Sequence, residues 1–188
     1  GMRIFKNGAC ALAYASDFRD RSLDQLADDL FAMGEVSDAD AANGLPDPEW
    51  LGAHSGPIQV FDESLAELSA AERIERARRA EAAGFAVDPP INNSDGASWG
   101  DSRGRTILVN SRGFSGERRG TYASLSASFA AEEQGVKQTD YWHNTHRFAA
   151  GLESPEAIGR RAGERTIARL GARKVKSQAA PVVVDPLV

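Results

Sequence analysis

A two-residue alternation over residues 121–129 constrains the fold of this chain more than any other feature of its sequence. The odd positions there are Thr, Ala, Leu, Ala and Phe, whereas the even positions are Tyr, Ser, Ser and Ser. Because successive side chains of a β-strand point to opposite faces, this pattern predicts a strand with one face in the core and the other in water. The small residues on both faces indicate that a helix, a partner or a peptide packs closely there.

The segments around this strand predict a sheet whose strands follow one another in hairpin order. Lys6-Asn7-Gly8 predicts a hairpin near the start, since Asn-Gly favours a two-residue turn. Residues 87–148 are typical of a β-meander, with a β-turn predicted at Asp101-Ser102-Arg103-Gly104. With helices between and after these strands, we expect an α+β fold with a largely antiparallel β-sheet covered by helices on one face.

The first predicted helix covers residues 22–33, where apolar residues recur at helical spacing and pack on the sheet. Ser22 and Gln25 have the spacing of a capping box at its start. The next stretch, residues 34–56, is rich in Asp, Asn, Gly and Pro, which favours an extended, mobile loop over any regular element.

Two further helices are predicted from their capping signals. One opens at the capping box of Ser69 and Glu72 and stops at Gly84. The other has Ser154 as N-cap followed by proline, and it ends near residues 170–171. The valines at 182–184 form either a short buried strand or a linker.

Length and charge limit the classes of protein to which the chain can belong. Its 188 residues, 41% of them hydrophobic, can bury one core as a single domain over residues 1–188. A formal net charge of -5 argues against direct binding of nucleic acid, which needs a basic face. No apolar run approaches the roughly 20 residues of a membrane span. The single cysteine, Cys10, excludes an internal disulfide and fits a cytoplasmic protein.

The strongest candidate binding residues lie around residues 139–148. If this β-prone segment is a strand, Tyr141, His143 and Arg147 share one face, and Trp142, His146 and Phe148 share the other. An alternative is a metal site, because His143 and His146 would share one face of a helix. In a strand the two histidines point to opposite faces, so we assign no metal ligand. We also assign no catalytic residue.

Other patterns have simpler interpretations. Glycines at 96, 100 and 104 match neither spacing of the known phosphate-binding loops. The paired carboxylates Asp62-Glu63 and Asp28-Asp29 fall on or beside predicted helices and are expected to be solvated charges. Serines 124, 126 and 128 share one strand face with no evident base nearby, which gives nucleophilic catalysis no support.

Several short motifs, taken in order, resemble those of one protein family. Residues 91–114 contain an N-S-x-G-A step and then N-S-x-G-F, and residues 154–159 read S-P-E-x-I-G. Residues 8–17 and 140–142 are similar to two strands of the same family, and residues 169–186 are similar to its passage out of the domain. Together these segments resemble the amino-terminal domain of the PmbA/TldD family, bacterial proteins labelled modulators of DNA gyrase and zinc-dependent peptidases.

The resemblance implies a non-catalytic domain of a PmbA/TldE-like subunit. Such a subunit would pair with a TldD-like subunit to form a cytoplasmic metallopeptidase that processes unfolded peptides. The family's zinc is held by a His-Glu-x-x-x-His helix, and no His-Glu pair occurs in this chain. We therefore expect no cofactor here and zinc in the TldD-like partner, and we leave open whether the parent protein is an enzyme.

The extent of the chain is a separate expectation from the resemblance. The family's carboxy-terminal domain would be absent, so the chain is either a trimmed piece or a naturally short homologue. Two other functions stay open at this point. One is a regulatory module of the gyrase-modulator type that binds a protein partner, and the other is an independent metal-binding domain that uses His143 and His146.

Overall fold

The computed structural model describes residues 1–50 and 58–184. These residues form an α+β fold with two antiparallel sheets, which confirms the predicted class. In chain order the elements are β1 (Met2–Lys6), β2 (Ala9–Ala13), α1 (Asp20–Val36), α2 (Ala70–Phe85), β3 (Ile91–Val109), β4 (Ser115–Glu133), β5 (Val136–His146) and α3 (Pro155–Ile167). Single turns of 3₁₀ helix lie at Pro48–Trp50, Glu63–Ala66 and Ala149–Gly151.

The described residues fall into two compact units. The first unit comes from Gly1–Pro57 and Ile107–Glu117, and the second comes from Ile58–Thr106 and Arg118–Val188. The expectation of one domain over residues 1–188 stays a prediction. No helix in residues 1–50 or 58–184 is long and apolar enough to cross a bilayer.

In the first unit, β1 and β2 form the predicted hairpin. Asn7 and Gly8 connect the strands with φ angles of 51° and 80°, the positive values that a type I′ turn needs at both central positions. Helix α1 packs on this two-stranded sheet, as predicted. Leu30 is fully buried there, and Gly34 is buried with the Ile4 side chain next to its backbone.

The start and the end of α1 both differ from the prediction. Ser22 donates its hydroxyl to Asp17 at 2.7 Å, so it caps nothing, and Gln25 donates to Asp29 instead. The helix therefore begins earlier, after Arg19. It also continues to Val36, because packing of its last turns on the hairpin outweighs the low helix propensity of glycine. The predicted loop is shorter than expected, and residues 51–56 of it lie outside the described residues.

The second unit contains β5 and most of β3 and β4, which form the predicted meander with strand order β3-β4-β5. Gln134 and Gly135, with φ angles of 52° and 78°, make the tight turn between β4 and β5. Along β4 the alternation is confirmed, since Ala123, Leu125, Ala127 and Phe129 are at most 1% exposed. Helices α2 and α3 cover this face, and the core cluster consists of Ala80, Ile91, Leu125, Ala127, Phe129, Ala131, Ile158 and Ala162.

Glycines allow α2 and α3 to approach at backbone distance. A side chain at Gly159 would collide with the backbone of Ala80, and one at Gly163 would lie 2.9 Å from the Gly84 carbonyl oxygen. The contact residues are four positions apart on each helix, Ala80 and Gly84 on α2 and Gly159 and Gly163 on α3, so each pair shares one face.

The capping box of Ser69 and Glu72 forms at the start of α2 as predicted.

Gly84 was wrongly predicted to end α2. The helix runs to Phe85 and leaves Gly84 inside its last turn, where the ring of Phe129 lies directly against the backbone. The glycine is therefore required by close packing and not by a turn. Only the fold brings Phe129 to this position, so a local reading of the sequence could not identify the reason.

The β-turn predicted at residues 101–104 is also wrong, because β3 passes straight through them. The side chain of Asp101 is largely buried and lies 2.8 Å from the Arg73 guanidinium of α2. It also accepts a 2.8 Å hydrogen bond from the indole of Trp99. This ion pair ties the strand to α2 and overrides the turn preference of the Asp-Ser-Arg-Gly sequence.

Helix α3 starts as predicted, with the Ser154 hydroxyl accepting from the Ala157 amide. It ends at Ile167, and a turn then leads to Gly171, whose φ is 70°. Val182, Val183 and Val184 have no regular structure and are strongly exposed, so the buried-strand alternative is wrong, whereas the linker alternative stays a prediction.

Candidate functional site

The register of β5 on β4 decides which face of the sheet each candidate residue occupies. Tyr141 lies opposite Ser128, and His143 lies opposite Ser126. Trp142 lies opposite the buried Ala127, on the side that the helices cover. The predicted division of the segment into two faces is therefore correct within β5. We call the side that carries Tyr141, His143 and the even residues of β4 the open face.

Hydroxyl groups on the open face are held in pairs across the strands. Ser98 of β3 and Ser126 of β4 share a hydrogen bond of 2.9 Å. Thr145 of β5 donates to the Ser124 hydroxyl at 3.0 Å. These bonded hydroxyls make the row a polar surface suited to binding. Contrary to the expectation that no base lies near these serines, the Ser128 hydroxyl donates to the Asp95 carboxylate at 3.3 Å.

The aromatic residues of the open face are exposed beside this row. Tyr141 and His143 stack with ring centroids 5.9 Å apart and an interplanar angle of 20°. Trp142, on the other side of the strand, is half-buried, and the Arg161 guanidinium lies 3.7 Å from its ring centroid. The tryptophan thus joins β5 to α3, while the Tyr141–His143 pair stays available to a ligand.

Beyond the serine row, the open face contains a shallow hollow of about 490 Å³. Residues of three strands and of the segment after β5 line it, namely Ser102, Gly104, Thr106, Arg118, Gly120, Thr121, Tyr122, Thr145, His146 and Arg147. Two arginines and several hydroxyl groups are present, whereas no aspartate or glutamate belongs to this lining.

The structure brings the predicted binding residues together only in part. Tyr141 and His143 are in contact with each other, whereas Arg147 lies after the end of β5 and lines the hollow. Arg118 and Tyr122 were not predicted as site residues. Tyr122 belongs to the even face of the alternation over residues 121–129, so a signal for it was present in the sequence, whereas the charged residues 117–119 break that alternation before Arg118. Binding by any of these residues stays a prediction.

The metal-site alternative loses its geometric basis. His143 and His146 lie opposite Ser126 and Ala123, on the two different faces of β5, so they cannot bind the same ion. The His146 ring accepts from the Phe148 amide at 3.1 Å. Within residues 1–50 and 58–184, no three His, Cys, Asp or Glu side chains are grouped as metal ligands. His54 lies outside the described residues.

Asp62 supports the edge of the hollow and is not the solvated charge that we expected. Its carboxylate accepts from the Ser64 amide and hydroxyl, and from the Ala149 amide at 2.8 Å. Its own amide donates to the hydroxyl of Thr121, which donates in turn to the Arg147 carbonyl at 2.8 Å. These bonds fix the backbone at Arg147 to β4. Hydrogen bonds from Ser64 and Ala149 hold the pKa of Asp62 below its ordinary value.

The lowered pKa of Asp62 predicts a pH dependence of stability. The ionised form is favoured in the folded state, so its contribution is fully present above the ordinary carboxyl pKa and is lost as pH falls through the lower folded value. We expect Asp62→Asn to lower the urea midpoint at neutral pH, and the difference from the parent to shrink in acid. Glu63→Gln removes only an exposed ion pair and should change little. A difference in urea midpoint between the parent and Asp62→Asn that stays constant with pH would contradict a stabilising role for the ionised Asp62 carboxylate.

Comparison with known proteins gives the family context of these elements. A family model described as the PmbA/TldA metallopeptidase central domain matches residues 63–170, more than half of the chain. The matched part contains α2, the meander, the hollow and α3. The model is that of the central domain, which refines the expectation that the whole chain corresponds to the amino-terminal domain.

Individual relatives agree with this match. The metalloprotease PmbA of Escherichia coli O157:H7 is 29% identical over 183 residues, which cover 97% of this chain and 40% of the relative. A candidate modulator of DNA gyrase from Bacteroides thetaiotaomicron has the same fold, with a TM-score of 0.83, 24% identity, and coverage of 93% of this chain and 40% of that one. TldE from Thermococcus kodakarensis has a TM-score of 0.69 and 16% identity over 88% of this chain and 36% of its own. The chain thus spans less than half of each relative.

Proposed function

The chain belongs to the PmbA/TldD metallopeptidase family, and from that premise we propose that it is a non-catalytic domain of a PmbA/TldE-like subunit. In this proposal the subunit pairs with a TldD-like subunit in the cytoplasm. The pair cleaves unfolded peptides with zinc held by the TldD-like partner. This domain contributes a surface along which the peptide is bound before cleavage.

One observation carries the proposal for this domain, namely that its polar open face ends at an edge strand. In the order β3-β4-β5, β5 pairs with β4 on one side, and no described residue pairs with its other side. An edge strand can bind an extended peptide through main-chain hydrogen bonds, which makes few demands on the side chains of the peptide. Tyr141 and His143 stand on this strand, where they would contact the bound peptide.

The experiment mixes the full-length parent protein with its TldD-like subunit. We expect the two to elute together in size-exclusion chromatography. We also expect the mixture to cleave an unstructured peptide, with the cleavage abolished by a zinc chelator. Neither subunit alone should do so. Cleavage by the parent protein alone, through its own His-Glu-x-x-x-His motif, contradicts the non-catalytic assignment.

Variants of β5 connect the assay to this domain. Tyr141→Ala with His143→Ala removes the exposed pair from the open face, and we expect it to reduce cleavage while the complex still forms. Val136→Ala is an exposed control on the same strand and should leave cleavage unchanged. Equal cleavage rates for the parent, the double variant and Val136→Ala would show that the peptide does not bind at Tyr141 and His143.

The regulatory alternative remains testable with the same material. The name of the Bacteroides thetaiotaomicron relative motivates it, and the acidic net charge of -5 directs it to a protein partner and not to DNA. A pull-down with the parent protein that recovers gyrase subunits but no TldD-like subunit would favour this alternative over the peptidase role.

A further inference from the structure

The arginines of the hollow on the open face have a charge opposite in sign to the net charge of the whole chain. The protein has a formal net charge of -5, yet two arginines and no carboxylate line the hollow. A concave site lined by one sign of charge concentrates ions of the other sign. The lining therefore selects for an anionic group.

Neither of the two guanidinium groups is neutralised by a carboxylate within residues 1–50 and 58–184. Arg118 and Arg147 are both exposed, and neither side chain has an ion-pair partner among the described residues. The neighbouring Arg119 behaves differently, since it lies 3.6 Å from Glu63 and over the Phe61 ring at 4.0 Å. Adjacent arginines on one strand point to opposite faces, and the guanidinium of Arg118, on the open face, has no hydrogen-bond partner in the part of the chain that the structure describes.

The surroundings of the arginines suit a planar anion. The hydroxyls of Thr106 and Tyr122 supply neutral donors around the hollow. Gly104 leaves open space in the lining, since a Cβ there would meet nothing within 4 Å. Guanidinium groups bind carboxylates through paired, charge-assisted hydrogen bonds, and this geometry gives specificity as well as affinity.

We propose that this hollow is a subsite for a carboxylate of the bound peptide, held by Arg118 and Arg147. The inference rests on the proposed function, in which the open face binds unfolded peptide. Two sources can supply the group, the free carboxyl terminus and an aspartate or glutamate side chain. Their shared chemistry defines the site, and the test separates the sources.

The test measures binding to the full chain by fluorescence anisotropy, at low ionic strength so that screening is small. The probes are a short labelled peptide without regular structure, its carboxyl-terminal amide, and versions of both in which one aspartate replaces an asparagine. We expect one of the two carboxylates, the terminal one or that of the aspartate, to raise affinity by about tenfold, the size of one charge-assisted hydrogen bond. Preference for the carboxyl-terminal acid or for the aspartate identifies the source.

Three variants localise the effect. Arg118→Gln and Arg147→Gln should each remove most of the preference for the carboxylate forms, with no loss of affinity for the uncharged peptide. Arg103→Gln changes the net charge by the same amount on the other side of β3 and should keep the preference. Because all three side chains are exposed, their thermal midpoints should match that of the parent, which shows that the fold is intact.

Several outcomes would overturn the subsite. Equal binding of all four peptides removes it while leaving peptide binding in place. An equal loss in Arg103→Gln shows a general charge effect, and displacement by inorganic phosphate at concentrations where acetate has no effect points to a phosphate site. Binding of none of the peptides also rejects it. Assembly with the TldD-like subunit is measured separately, so failure here is distinguishable from failure of the proposed function.

Discussion

Gly159→Ala should lower the free energy of unfolding by about 3 kcal/mol, because the added methyl group has no room between α2 and α3. The new Cβ would collide with the carbonyl oxygen and carbonyl carbon of Ala80. This obstacle is backbone and cannot rotate away, so the helices must separate. Alanine has a higher helix propensity than glycine by about 1 kcal/mol, but the cost of overpacking exceeds this gain. Urea denaturation, followed by circular dichroism, measures the net effect.

A matched control makes the same chemical change where space is free. At Gly100 of β3 an added Cβ would meet nothing within 4 Å. Gly100→Ala should therefore change the free energy of unfolding by about 1 kcal/mol or less. Alanine also restricts the unfolded chain more than glycine does, and this effect favours the folded state. If both variants lose the same stability, the close helix contact at Gly159 is not what stabilises this unit.

Phe129→Ala should cost about 3–5 kcal/mol in free energy of unfolding, the usual range for removing a buried phenylalanine ring. Phe129 has no exposed surface, and its ring makes an edge-on contact with Phe85 at 5.5 Å between centroids. Tyr122→Ala is the control on the same strand. Tyr122 is half exposed on the open face, so its loss should cost about 1 kcal/mol or less.

The contact between Phe129 and Gly84 allows a sharper version of this test. A Cβ at Gly84 collides with the Phe129 ring, so Gly84→Ala alone should be destabilising. Once Phe129→Ala has removed the ring, the methyl group at position 84 fills part of the cavity. The double variant should then be more stable than the sum of the two single changes implies, as a double-mutant cycle measures. Additive effects would show that the ring and the glycine are not in contact.

The features predicted correctly from the sequence are those that short-range physics determines. The type I′ turn at Asn7 and Gly8, the capping box of Ser69, the N-cap of Ser154 and the alternation in β4 each depend on residues close in sequence. The errors share a different cause. Asp101 has turn propensity but pairs with Arg73 from α2, and Gly84 resembles a helix stop but lies under Phe129. Long-range contacts decided both.

The candidate site follows the same division. That Tyr141 and His143 share a face is a property of any strand, so it was predictable once the segment was taken as β-structure. That Arg118 has no ion-pair partner among the described residues, whereas Arg119 lies beside Glu63, depends on where the segment around residue 61 packs. No local pattern contains that information, so the hollow could be found only from the three-dimensional arrangement.

The tryptophans differ in exposure between the two units, so their fluorescence can report on one unit separately from the other. Trp142 and Trp99 belong to the meander unit, where both are half-buried and lie under Arg161 and Arg76. Trp50 belongs to the other unit and is 76% exposed. A neutral collisional quencher such as acrylamide reaches the exposed indole first, so the emission that survives comes mainly from Trp99 and Trp142. Intrinsic fluorescence recorded with the quencher present can therefore follow the opening of the meander unit in the intact chain, without an added dye.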